Sequence, residues 1–302
     1  MQRPNPDMYI VNTLGYITHE TISQNRTGEI FGVMSRGIYV KTSSRWLSFI
    51  SYEPYRSPIT INLNGDPIYL HQISSGMPVQ ISDGQMILPD ARLTINAQIS
   101  DVWNPPPPSF PPLPRAECIQ NLAYFVKKAL TQKPSAGLCS LLPHFLILPE
   151  IEKELGQNSL QREILAIQPY LLNREVAPFV NKLCSCLGAG AGLTPSGDDF
   201  VTGLLLALNR WKDILWDRDD LDLINQSIVE AAYQKTTTLG ANLIELASFG
   251  EGDERILKAI DWIMAGNTDE SSIVDDLVDW GSSSGVDILA GFTAAITITA
   301  TS

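Results

Sequence analysis

The sequence predicts an α+β protein in which a small β-barrel or sandwich domain, residues 1–103, precedes an all-α helical domain, residues 115–302. Three observations predict it. The first hundred residues hold short runs rich in β-branched and aromatic side chains, separated by turn signals. A proline-rich tract then occupies residues 104–114. From Ala116 onward the apolar residues recur at helical spacing, and continue to do so almost to the end.

In the first part, Ile30–Met34, Gly37–Thr42 and Trp46–Ile50 have strand composition. Ser57–Leu70 is the clearest hairpin: Ile59, Ile61 and Leu63 alternate into Asn64-Gly65, and Ile68–Leu70 returns. Val79–Ile81 and Ala91–Ile99 continue the pattern, and such closely spaced strands suit a closed or nearly closed sheet. Next, Asn104–Pro114 can continue neither a helix nor a central strand, so it is expected to be an extended, semi-rigid linker.

In the second part, Ile119, Leu122, Val126 and Leu130 form an apolar stripe. Ser159–Leu172, Ser196–Trp211 and Leu221–Tyr233 are the next expected helices, with Val180–Leu187 leading into a glycine loop. Ala241–Ala247, Glu254–Met264, Ser272–Trp280 and a last helix from Ser284 follow. The total is about eight helices in one bundle-like domain.

Composition narrows the function. The formal net charge is −12, which disfavours nucleic acid and anionic membrane surfaces as partners. An anionic ligand would need a local site of helix N-termini, backbone amides or a metal. The start of the chain lacks the apolar core of a signal peptide, and no apolar run has the length of a membrane span. The four cysteines suggest free thiols and not a disulfide framework, and the three histidines lack ligand spacing. A cytoplasmic, reduced protein is expected.

The chemistry concentrates in Gly188–Gly203. Gly188, Gly190 and Gly192 give the backbone access to positive φ or to close approach by a ligand. Thr194-Pro195-Ser196 then turns into an apolar helix. Ser196 takes the N-cap place, with Asp198 at N2 and Asp199 at N3 as the capping-box partner. On that register Asp199 is the structural carboxylate, and Asp198 is free for chemistry. The pattern S-G-x-D-x-x-x-G recurs: Ser196, Gly197, Asp199 and Gly203 correspond to Ser284, Gly285, Asp287 and Gly291. The two starts are therefore expected to converge on one site, although two ordinary capped helices would carry the same letters.

Two familiar glycine loops do not fit. Gly192 to Gly197 has the glycine spacing of a P-loop, but Asp198 and Asp199 stand where Lys and Ser/Thr belong. The third glycine is one residue too early for a dinucleotide-binding turn. What remains is an anion site beside carboxylates. Its candidate ligand-binding residues are Gly188, Gly190, Gly192, Thr194, Ser196, Gly197, Ser283, Ser284 and Gly285. Asp198, Asp199 and Asp287 are the candidate catalytic groups, and Asp198 the candidate ligand for Mg²⁺, which often joins carboxylates to phosphate oxygens.

The Gly192–Asp199 core, Gly-Leu-Thr-Pro-Ser-Gly-Asp-Asp, together with Ser283–Asp287 and Gly291, resembles the AllH-like family. That family includes a subunit of oxamate carbamoyltransferase, an enzyme of anaerobic allantoin breakdown. The resemblance implies a carbamoyl-group reaction in which oxalurate and phosphate give oxamate and carbamoyl phosphate. It also implies other, different subunits as partners. A small anion such as carbamoyl phosphate, phosphate or oxamate is then the expected ligand. A non-catalytic subunit that binds ligand or positions a partner enzyme is the alternative. The S-T-R-T phosphate motif of ordinary carbamoyltransferases is absent from the sequence.

Overall fold

A computed structural model describes residues 7–64, 72–98, 100–146, 158–216, 219–266 and 270–299. The chain divides into two compact units, Met1–Pro105 and Pro106–Ser302.

The first unit is a barrel. Its strands are β1 (Asp7–Gly15), β2 (Thr27–Met34), β3 (Gly37–Lys41), β4 (Leu47–Ser51), β5 (Thr60–Asn64), β6 (Pro78–Ser82), β7 (Gln85–Leu88), β8 (Leu93–Asn96) and β9 (Asp101–Trp103). The sheet order is β5-β4-β3-β2-β6-β7-β8-β1-β9, and β1 also pairs with β5. That pairing closes an eight-strand ring, with β9 added to the far end of β1. Of the two expected architectures, the barrel is the one formed. β1 joins β5 antiparallel but β8 and β9 parallel.

Period-two burial shows why these strands close. In β6 only Val79 and Ile81 point inward, and in β7 Met86 and Leu88 do. With Ile38, Val40, Ile50, Ile61 and Ile95 they fill an apolar interior, as expected where eight strands leave room for side chains alone. The expected return strand Ile68–Leu70 and its Gly65 turn lie outside the described residues. Among the described residues β5 pairs with β4 and β1. Four elements of this unit were not expected: the strands β1, β7 and β9, and α1 (Tyr16–Gln24), which buries Ile17, Thr18, Thr21 and Ile22.

Among the described residues of the second unit every regular element is helical. The helices are α2 (Arg115–Gln132), α3 (Leu142–Leu146, after a 3₁₀ turn at Cys139–Leu141), α4 (Ser159–Leu165), α5 (Gln168–Leu172) and α6 (Val176–Cys186). There follow α7 (Ser196–Arg210), α8 (Lys212–Leu215), α9 (Leu221–Lys235), α10 (Thr238–Ser248), α11 (Glu254–Ala265), α12 (Glu270–Val278) and α13 (Ser284–Thr299). They outnumber the expected eight, partly because Ser159–Leu172 is split at Ala166–Ile167, before Pro169. None is long and apolar enough to cross a membrane.

Two helices form the centre. α7 is buried without interruption from Gly197 to Leu208, and α13 from Gly285 to Ile296. Helices apolar on every side belong inside a bundle. The proline tract is tied to this unit: Arg210 Nη2 donates to the Pro106 carbonyl at 3.0 Å, and the Leu113 amide donates to the Met264 carbonyl at 2.8 Å.

Candidate functional site

The loop between α6 and α7 takes the backbone its glycines permit. Gly188, Gly190 and Gly192 have φ of 74°, 132° and 93°, values costly for any other residue. Gly188 and residues 190–192 are exposed, and Gly192 faces open space. The amides of Gly190, Ala191, Gly192, Leu193 and Thr194 donate no hydrogen bond among the described residues. Not every candidate glycine is so placed. The Gly188 amide is given to Asp198, that of Gly197 to the Ala189 carbonyl, and that of Gly285 to the Trp280 carbonyl.

The helix start is shifted from expectation. Pro195 is the N-cap of α7, with φ −56° and ψ 147°, and its carbonyl accepts from the Asp198 and Asp199 amides at 2.9 and 3.1 Å. Ser196 is already helical, so the Ser196–Asp199 capping box does not form. The expected division of labour changes with it. Asp198 is the carboxylate that ties structure together: Oδ1 accepts from the Gly188 amide at 2.8 Å, and Oδ2 accepts from the Thr236 hydroxyl. Gly240 in the first turn of α10 permits this approach, since a Cβ there would lie 2.5 Å from Asp198 Oδ2.

α7 and α13 pack through their matching glycines. A Cβ on Gly203 would lie 2.2 Å from the Ile288 carbonyl oxygen, and one on Gly291 would lie 2.3 Å from that of Phe200. Only glycine allows both backbones so close, and the reciprocity gives the pair an approximate twofold relation. The helix starts meet as a result. The Thr194 and Ser284 hydroxyls are 3.2 Å apart. The Ser284 and Thr194 side chains favour the charged form of Asp199, and those of Ser196 and Ser283 do the same for Asp287. α10 begins beside them: Thr237, its N-cap, donates its hydroxyl to the Leu193 carbonyl. Three N-termini with their partial positive charges thus border one loop.

The carboxylates there are almost inaccessible. Asp198 and Asp199 are each 1% exposed and Asp287 is 0% exposed. Oδ2 of both Asp199 and Asp287 lacks a hydrogen-bond partner among the described residues. Burial is the main cause of the raised pKa of all three, because the charged form loses hydration. Asp199 is pushed furthest, well above the ordinary carboxylate range: burial acts first, and the charges of Asp287 and Asp198 add to it against the Ser284 and Thr194 hydrogen bonds. Asp287 is helped by the Leu138 amide, which donates to Oδ1 at 2.6 Å.

Leu138 and Gly240 carried no signal in the sequence, whereas the Thr236–Thr238 run reads either as lining the same cleft or as a helix C-terminal turn. Among the described residues no group of three or more His, Cys, Asp or Glu is placed to hold a metal ion. Each Asp198 oxygen accepts one hydrogen bond from the chain itself. The cysteines are free, and burial pushes Cys186 up to about 12, leaving an unreactive thiol.

Fold and site define an α+β protein with a closed β-barrel unit and a helical unit centred on two glycine-notched helices. Residues 186–296, from the last residue of α6 into α13, match the family model described as oxamate carbamoyltransferase subunit AllH. The matched segment takes in the glycine loop and both Ser-Gly-x-Asp starts, so the resemblance read from those residues holds over this part of the chain. No curated protein and no solved structure shows a significant match.

Proposed function

We propose that this chain is a subunit of an oxamate carbamoyltransferase-type enzyme and binds a small anion, carbamoyl phosphate or a relative such as phosphate or oxamate, at its glycine loop. The observation that carries the reading is the family match over residues 186–296, which spans both helix starts. Physical chemistry supports it. The amides from Gly190 to Thr194 have no acceptor among the described residues, and the half-buried hydroxyls of Thr194, Ser196, Ser283 and Ser284 surround the helix starts. Helix N-termini and free amides favour bound anions without a bulk positive charge. They would equally stabilise an oxyanion at a carbamoyl carbon. In this reading Asp199, the buried carboxyl with an unmet oxygen and the strongest upward shift, is the candidate proton donor. Asp287 supports it from α13, and Asp198 shapes the loop.

The alternative, a ligand-binding or scaffold subunit that positions a catalytic partner, is favoured by the near-complete burial of all three carboxylates. Isothermal titration of the purified chain with carbamoyl phosphate, phosphate, oxamate and oxalurate, with and without Mg²⁺, tests the shared claim. Binding of at least one anion that Gly192→Val abolishes is expected. No binding by any of them would remove the anion reading. Turnover by the isolated chain would remove the scaffold reading.

A further inference from the structure

We propose that Thr236 and Thr237, at the junction of α9 and α10, are positioning residues that hold the two ends of the glycine loop. The clamp stands on geometry; its effect on binding rests on the anion reading above.

At the upstream end, the Thr236 hydroxyl donates to Asp198 Oδ2, and Asp198 Oδ1 accepts from the Gly188 amide at 2.8 Å. The neighbouring Lys235 carbonyl sits so close that a Cβ on Gly188 would lie 2.5 Å from its oxygen. At the downstream end, the Thr237 hydroxyl donates to the Leu193 carbonyl. The same oxygen accepts from the Gly240 amide at 2.9 Å, as the N-cap of α10. Capping alone needs only that acceptor role; the donated proton reaches the loop. Two adjacent side chains on one short junction therefore grip Gly188 and Leu193, the flanks of the exposed stretch.

Between the grips the loop holds itself poorly. The amides from Gly190 to Thr194 have no partner among the described residues, and Gly190 and Gly192 retain glycine's backbone freedom. A set of unpaired amides receives an anion well only if it is already arranged, since ordering at the moment of binding costs affinity. Here backbone bonds to Cys186 and Gly197 order Ala189, and two hydroxyls from outside hold the flanks of the loop.

The test compares the full chain with Thr236→Val, Thr236→Ser, Thr237→Val and Thr237→Ser. Nitrogen-15 relaxation reads Gly190 and Gly192 without ligand, and inorganic phosphate is titrated separately. The parent order parameters should be about 0.85, as for rigid backbone, and should fall to about 0.6 or below in each valine variant. The serine variants should keep the parent values, and α9 and the part of α10 beyond its first turn should be unchanged throughout. The Kd for phosphate should weaken about tenfold or more in the valine variants only. Unchanged loop order in the valine variants overturns the clamp, as does a loss spread evenly over α7, α9 and α10. Loosened loops that bind phosphate as tightly as the parent overturn its proposed effect on binding. If the parent binds no phosphate, the anion reading loses that ligand, while the relaxation data still decide the clamp. If a valine variant does not fold, hydrogen exchange in the parent decides: Gly188 must exchange at least tenfold more slowly than Gly190, and equal rates refute the clamp.

Discussion

The starts of α7 and α13 share one pattern but not one environment. Ser196-Gly197-x-Asp199 and Ser284-Gly285-x-Asp287 place their aspartates equivalently, each one turn into its helix and each favoured in its charged form by the other helix's serine. The i+7 glycines make the same close backbone contact from both sides. The environments differ beyond the motif. Asp287 receives the Leu138 amide, whereas the hydrogen bonds acting on Asp199 come from hydroxyls and two other carboxylates lie near it. Asp198 has no counterpart, because Val286 occupies its place. A repeated motif therefore reproduces the helix contact, while the chain around it decides which carboxylate is left under-supported.

The strongest way to break this comparison is to give either glycine a side chain. Gly203→Ala and Gly291→Ala should each cost about 3 kcal/mol, the upper end for overpacking, because backbone atoms must part. Urea unfolding measures both; a loss in only one would mean that the contact is not reciprocal. Next, Asp198→Ala should cost about 1–3 kcal/mol by leaving the Gly188 amide and the Thr236 hydroxyl without their acceptor. An unchanged unfolding midpoint would show that the motif's unpaired carboxylate does not tie the loop.

A smaller effect separates the serines. Ser284→Ala should cost about 1.5 kcal/mol and Ser196→Ala about 0.5 kcal/mol, since Asp287 keeps a backbone donor and Asp199 does not. Equal losses would show that the Leu138 amide makes no difference. The last contrast is in pH dependence. Asp199 and Asp287 both have raised pKa values in the folded chain, so each contributes stability that is fully present below the ordinary 3.8 and lost as pH rises through the folded value. Asp199, shifted further, should lose more. Melting curves at pH 4 and pH 8 should find Asp199→Asn more stable than the parent at pH 8, with a smaller gain for Asp287→Asn and little difference between them at pH 4. A larger gain for Asp287→Asn would reverse the order of support.

Local signals carried the sequence reading as far as they reach. Glycine, proline and acidic residues at fixed offsets marked both helix starts, and short β-branched runs marked β6 and β8, because each reports on its own few neighbours. The cap register failed by one residue, since Pro195 supplies the capping carbonyl and a serine beside it gives the same letters. The partners of the carboxylates were illegible for another reason. Leu138 and Thr236 are brought in by the packing of other helices, and no spacing within Gly188–Gly203 encodes them. α1 was missed because its buried face includes Thr18 and Thr21, which weaken an apolar stripe.

Ring closure at β1 carries a kinetic consequence. This strand pairs with β5, β8 and β9, and its register with β8 joins Asp7 to Leu93. During synthesis β1 emerges long before its partners and has no neighbouring strand with which to form a local hairpin. The β2–β3, β3–β4 and β6–β7–β8 pairings are local and can form first. Closure then waits on the most distant contacts, whose loop entropy must be overcome before any pairing compensates it. Pulse-labelled refolding should therefore find the β1 amides protected last, together with the β8 edge that receives them.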